Sequence, residues 1–216
     1  MASSAGKVLG LATRMLGALV FLCSAAGAAD LEELMRGMAE SRGVVADFRE
    51  VKEIAVLTEP LETRGRLYFV PPDRMLRESH APVESRLVVD GDRVRMEQPG
   101  RVLDLSESAM AQGFVENFVV LWSGDLEALR ERYRVGFDAD ASGWELTLTP
   151  RDATLGRVIE TISLRGSSET LREIETREVD GDRTLMILET VDRDHVFGTD
   201  ELEKLFPASP LPADRS

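Results

Sequence analysis

Between Leu61 and Gly100, apolar and charged residues alternate through three runs: LETRGRLYFV, RMLRESHAP and VESRLVVDGDRVRMEQPG. Leu67 and Phe69 share one parity, while Arg64, Arg66 and Tyr68 share the other. Leu87 and Val89, then Val94 and Met96, repeat the device. A period of two places alternate side chains on opposite faces of a strand, so each run predicts a strand with one apolar and one wet face. Pro71-Pro72 ends the first run, because proline fixes φ and restricts the residue before it. Asp90-Gly91 predicts a two-residue hairpin turn with positive φ at both central positions. The segment is therefore an antiparallel meander whose apolar face needs a cover.

The same alternation returns later. It predicts a first long strand from Val44, then strands near 61–70, 74–80, 85–90, 93–98 and 101–105. A second set is expected near 133–138, 143–149, 157–164, 170–179 and 183–191. The string VDGDR occurs twice, at 89–93 and 179–183, and is read as one turn chemistry used twice. Helical spacing appears in three places. Leu31, Leu34, Met35 and Met38 form one stripe, with Asp30 as N-cap and Gly43 as a stop. Met110, Phe114, Phe118 and Trp122 form a second stripe that begins after Ser106 and ends at Ser123-Gly124. Asp125 caps a short third helix, LEALRERY. The aromatic stripe has two readings, a core helix packed on a sheet or a lid lining a cavity. Ten or eleven antiparallel strands make a curved sheet whose inner face must close on itself or take helices into its concavity.

The first 29 residues read as a leader. Lys7 and Arg14 precede an apolar run from Met15 to Ala26, and Ala26-Gly27-Ala28-Ala29 offers small residues for cleavage. The run is shorter than the roughly 18–20 residues a membrane span needs. Cys23 follows the bulky Phe21-Leu22, which argues against lipidation, and it is the only cysteine. Removing the leader leaves residues 30–206 as one domain without a disulfide, and 207–216 as a Pro-rich, disordered tail. The chain carries 39 acidic against 26 basic residues, a net charge of −13. Losing Lys7 and Arg14 makes it more negative still, which disfavours nucleic acid.

Candidates for chemistry are weak. Asp90, Asp92, Asp180 and Asp182 flank turn glycines and are explained by turn propensity. Asp192-Arg193-Asp194-His195 lacks the further ligands that make a metal site. His80 stands at a strand end. Phosphate loops, dinucleotide fingerprints and nucleophile elbows are missing from the sequence, so no catalytic residue, metal or cofactor is expected.

In order and spacing, the chain resembles the LolA-like carriers that ferry lipoproteins across the periplasm. The resemblance rests on VVADFREVKE, RGRLYFVPP, RMLRE, RLVVDGDRVRM, YRVGFDADASGWELTLTP, RVIETISL and IETREVDGDRTLMI. Its most specific pieces are Gly65, Leu67, Phe69 and Pro72, and the run Leu87 to Gly91. It implies an incomplete antiparallel β-barrel of mainly β, α+β class, with helices as a lid over a hydrophobic cavity. By matching motifs, the cavity wall is Leu67, Phe69, Met75, Leu87, Val89, Val94 and Met96, with Phe114, Phe118 and Trp122 from the lid. It further implies a soluble, monomeric periplasmic carrier for an acylated lipoprotein or other lipid, with an inner-membrane exporter as donor and an outer-membrane acceptor. The family places a lid-holding arginine before the proline after this strand; here that position is Pro71, and Arg74 is the nearest arginine. A lipid sensor of the same fold, signalling to a membrane partner, and a lipid or glycan hydrolase are the alternatives.

Overall fold

The two halves of the strand pattern meet through a pairing that joins the ends of the chain. In the computed structural model, which describes residues 30–108 and 122–207, β1 (Val44–Glu53) lies between β2 (Leu61–Val70) and β11 (Arg183–Asp192). Outward from β2 follow β3 (Arg74–Ala81), β4 (Ser85–Asp90), β5 (Arg93–Gln98) and β6 (Arg101–Asp104). Outward from β11 follow β10 (Thr170–Glu178), β9 (Ile159–Ser167), β8 (Gly143–Pro150) and β7 (Tyr133–Asp140). All pairs are antiparallel, and β6 and β7 are the two edges, so the eleven-stranded sheet is open. The expected fold is the observed one.

Helix α1 (Leu31–Ala39) is capped by Asp30, whose carboxylate accepts from the Glu32 N–H at 3.2 Å, and it buries Leu31, Leu34 and Met35 against the concave face. Helix α2 (Leu126–Arg132) is capped by Asp125 and buries Leu129. Helix α3 (Thr199–Leu205) goes elsewhere. Leu205 and Phe206 pack on Leu76 and Val88, the opposite parity of β3 and β4, and so lie on the convex face. Arg86 and Arg95 donate to the Leu205 and Pro207 carbonyls, satisfying acceptors that a helix end leaves open. Among the described residues, no helix is long and apolar enough to cross a membrane.

The two VDGDR turns differ. In the first, Asp90 pairs with Arg93, so Gly91-Asp92 is the turn, one residue later than expected, and φ is positive only at Gly91 (59°). In the second, the last regular pair is Arg177 with Arg183 and the loop is wider, with Gly181 at φ 96°.

The convex face of the second half is ionic. Glu175 is 4% exposed and meets Arg165 at 3.1 Å, Arg177 at 2.6 Å and Arg183 at 3.1 Å. Hydrogen bonding from Arg183, opposed by desolvation and helped by Arg165, holds the carboxyl at about 2, below its ordinary 4.5. A depressed folded value contributes stability that is complete above the ordinary value and lost as pH falls from 4.5 toward 2. Glu175→Gln is therefore expected to lower the melting temperature most at pH 7, with the gap to the parent closing near pH 2; a gap constant with pH would overturn this.

Candidate functional site

The concave face is assembled in rows that cross the strands. Val44, Phe69, Met75, Val89 and Val94 form one row across β1 to β5, each 2% exposed or less. Ala46, Leu67, Arg77, Leu87, Met96 and Leu103 form the next. On the other side of β1, Met186, Ile174, Leu164, Leu146 and Phe137 form a row from β11 to β7. One parity of ten strands thus contributes to a single apolar cluster.

The face is graded along the strands. Toward the far end of β1, Arg77 lies 4.6 Å over the Phe48 ring, donates to Glu50 at 2.9 Å and to Ser79 at 3.1 Å. These groups close the apolar surface at that end. At the near end, where β1 begins, α1 covers it. Trp122 completes the cover, its ring centroid 5.8 Å from that of Phe69. Gly124, at φ 70°, allows the following turn to press on α1, for a Cβ there would stand 2.2 Å from the Met35 carbonyl oxygen.

A pocket opens at this near end among Met38, Val44, Trp122, Leu164, Leu171 and Val191, with Ser41, Glu169, Thr170 and Arg193 at its rim. Its volume is about 30 Å³. That is room for about two waters at 10–15 Å³ each, far less than an alkyl chain requires. Arg193 clamps the mouth: one guanidinium nitrogen pairs with Glu169 and the other donates to the Gly37 carbonyl of α1 at 2.8 Å. Glu169 sits in a two-residue hairpin turn beside Ser168, whose φ of 51° places it in the left-handed region. The Trp144 indole N–H donates to the Ser168 carbonyl at 2.6 Å and holds that turn. Ser41 donates to the Arg193 carbonyl.

The residues assigned by resemblance come together as one surface. Leu67, Phe69, Met75, Val89, Val94 and Trp122 are in the core cluster, and Leu87 packs against it. Met96 is half-buried and pairs with Leu87. Phe114 and Phe118 lie outside the described residues. Arg74, the nearest arginine to Pro71, takes no part in holding α1 or α2: it faces the convex side, 2.6 Å from Asp90 and 4.8 Å over the ring of Phe206 at the end of α3. The clamp is not read from the sequence: Arg193 stands in the run Asp192-Arg193-Asp194-His195, weighed only as a metal site, and Glu169 lies between two expected strands. Asp192-Arg193-Asp194-His195 is divided among tasks. His195 lies 3.1 Å from Glu201 and 3.4 Å from Asp192, and the hydrogen bond its ring donates to the Glu201 carboxylate raises its pKa above the ordinary 6.5.

A model of the LolA-like family, described as outer membrane lipoprotein carrier protein LolA-like, matches residues 23–204. None of the curated protein sequences matches significantly. Among solved structures, a LolA superfamily protein from Nitrosomonas europaea is 11% identical with a TM-score of 0.43, covering 81% of this chain and 97% of its own. The MucA/MucB complex from Pseudomonas aeruginosa contains a chain 16% identical with a TM-score of 0.45, covering 81% and 60% respectively. LprF from Mycobacterium bovis is 11% identical with a TM-score of 0.37, covering 80% and 100%.

Proposed function

This chain belongs to the LolA-like family of outer membrane lipoprotein carrier proteins, and from that membership we propose that it shields the acyl chains of a lipoprotein or other lipidated molecule during transfer toward the outer membrane. The leader, residues 1–29, directs it to the periplasm, and residues 30–206 form the binding domain. The donor is an inner-membrane exporter and the acceptor lies at the outer membrane. The single observation that supports this reading is the apolar row system of the concave face, continuous from β1 to β5 and from β11 to β7.

The mechanism is solvent exclusion. Each methylene moved out of water contributes ~0.8 kcal/mol, so a long chain does not cross an aqueous gap unaided. Leu67, Phe69, Met75, Val89 and Val94 supply the replacement surface, and methionines adapt it to different chains. The closed pocket is too small for cargo, so α1 and Trp122 must lift from the sheet to admit it. Arg193 resists that movement through Glu169 and the Gly37 carbonyl. No bond is made or broken.

The test is native mass spectrometry of protein taken from periplasm without detergent, followed by titration with the fluorescent fatty acid cis-parinaric acid. A bound acylated mass and one-to-one probe binding are expected. Arg193→Ala is expected to speed probe uptake at least about tenfold, because a hydrogen bond to a charged group contributes about 1.5–3 kcal/mol and ~1.4 kcal/mol is a factor of ten. A ligand-free mass together with no probe binding overturns the carrier reading, because the concave face is then only a filled core.

A further inference from the structure

At the end of the sheet opposite the pocket, five large apolar side chains stand in water. Val56 is 89% exposed, and Leu57, Leu61, Val158 and Val179 are between 48% and 57% exposed. Single exposed apolar residues are ordinary on any protein. These five share adjoining connections: the β1–β2 loop, the turn before β9 and the β10–β11 turn. Hydrogen bonds tie the three together. The Val179 N–H donates to the Val158 carbonyl at 2.9 Å, and the Ala55 N–H donates to the Asp182 carboxylate at 2.9 Å. Leu61 pairs with Lys52, whose ammonium lies 3.0 Å from Glu178. The tight turns at the pocket end differ: Gly91-Asp92, Ala141-Ser142 and Ser168-Glu169 carry no large apolar residue.

The patch has a charged flank. The carboxylates of Glu178, Asp180 and Asp182 lie within 4.8 Å of one another. Lys52 is paired with Glu178 and 4.0 Å from Asp182, so one positive charge answers three negative ones. Exposed apolar side chains gathered on adjoining loops mark an interaction surface, and the flanking sign selects what approaches it. These acids repel anionic headgroups and the same face of a second copy of this chain. They attract a cation-bearing chain.

We propose that this end is a docking surface for a protein segment that is apolar at its centre and flanked by lysine or arginine. β1 alone spans ten residues between the pocket and this patch, about 33 Å at the usual strand rise. On the carrier reading, a partner held here stands clear of α1, Trp122 and the Arg193 clamp, so the surface tethers the protein without competing with its ligand.

The test uses the full chain, exported with its leader, and a fluorescein-labelled 14-residue peptide of leucine and lysine; the control peptide has every lysine replaced by glutamate. Anisotropy is read with and without cis-parinaric acid, so failure of ligand binding and failure of docking show separately. Saturable binding of the lysine peptide without displacement of the fatty acid is expected. Replacing Val56, Leu57, Val158 and Val179 together by serine is expected to weaken it at least about tenfold, and the fold survives because none of the four belongs to either apolar cluster. Equal binding by the serine variant overturns the proposal. So does displacement of the fatty acid by the peptide, or binding of the glutamate peptide. Binding to phosphatidylcholine vesicles that depends on the same four residues, with none to the peptide, also overturns it and makes the surface a membrane contact.

Discussion

Gly65→Val is expected to abolish cooperative folding at ambient temperature. Gly65 lies in β2 between Phe48 of β1 and Ser79 of β3, at a point where the register with β3 shifts. A Cβ there would stand 1.7 Å from the Glu78 carbonyl oxygen and 3.0 Å from the Phe48 ring. The first of these is backbone of the neighbouring strand, which cannot move without breaking the ladder between β2 and β3. Overpacking against side chains costs about 1–3 kcal/mol; against paired backbone the cost is larger, of the order of a small domain's whole stability, about 5–15 kcal/mol. Urea titration followed by far-ultraviolet circular dichroism checks it. A Gly65→Val protein with the parent's midpoint would show that the strands do not approach as closely as described.

Phe69→Ala is expected to cost about 3–5 kcal/mol, the usual range for deleting a fully buried phenylalanine. Phe69 is completely buried, pairs with Val44 and Met75, and meets the Trp122 ring. Its loss leaves a hole under the cover, which the neighbouring strands cannot fill because their ladder spacing is fixed. Leu61→Ala, eight residues earlier on the same strand, exposes nothing new and is expected to change stability by no more than about 0.5 kcal/mol. The comparison is decisive because both are apolar residues of β2. Equal losses at the two positions would place Phe69 outside the core. The same Phe69→Ala protein reports on ligand: the enlarged space beside Trp122 is expected to increase the thermal shift produced by cis-parinaric acid.

The Leu61–Gly100 pattern was legible because strand periodicity is a local consequence of the pleat. Each alternating apolar residue from Leu67 to Val94 lies on the face its parity assigns, and Asp30 and Asp125 cap the helices they precede. The glycine of the motif Gly65, Leu67, Phe69, Pro72 now has a physical reason, the approach of the Glu78 carbonyl. Other features were not legible because their causes are distant in sequence. Nothing near Val44 or Asp192 announces that β1 pairs with β11. Arg193 follows β11 and Glu169 sits in the β9–β10 turn, and only the folded sheet brings them to one pocket mouth. The short α3 segment could have joined the other helices in the concavity, but its Leu205 and Phe206 found Leu76 and Val88 on the opposite face.

The paired VDGDR strings separate the two kinds of information. By itself the sequence determined that both would turn, because glycine tolerates positive φ and aspartate bonds to nearby backbone. The tertiary structure alone decided how each turns. Asp90 is held to Arg93 by a ladder that continues unbroken to the end of its strands, whereas in the second turn the Glu178 N–H donates to the Asp182 carbonyl at 2.9 Å and the Gly181 N–H to the Glu178 carbonyl at 3.1 Å, closing a three-residue loop. Local chemistry thus set strand, turn and cap; the burial of one parity across ten strands set the pairing, the covered face and the clamp at its mouth.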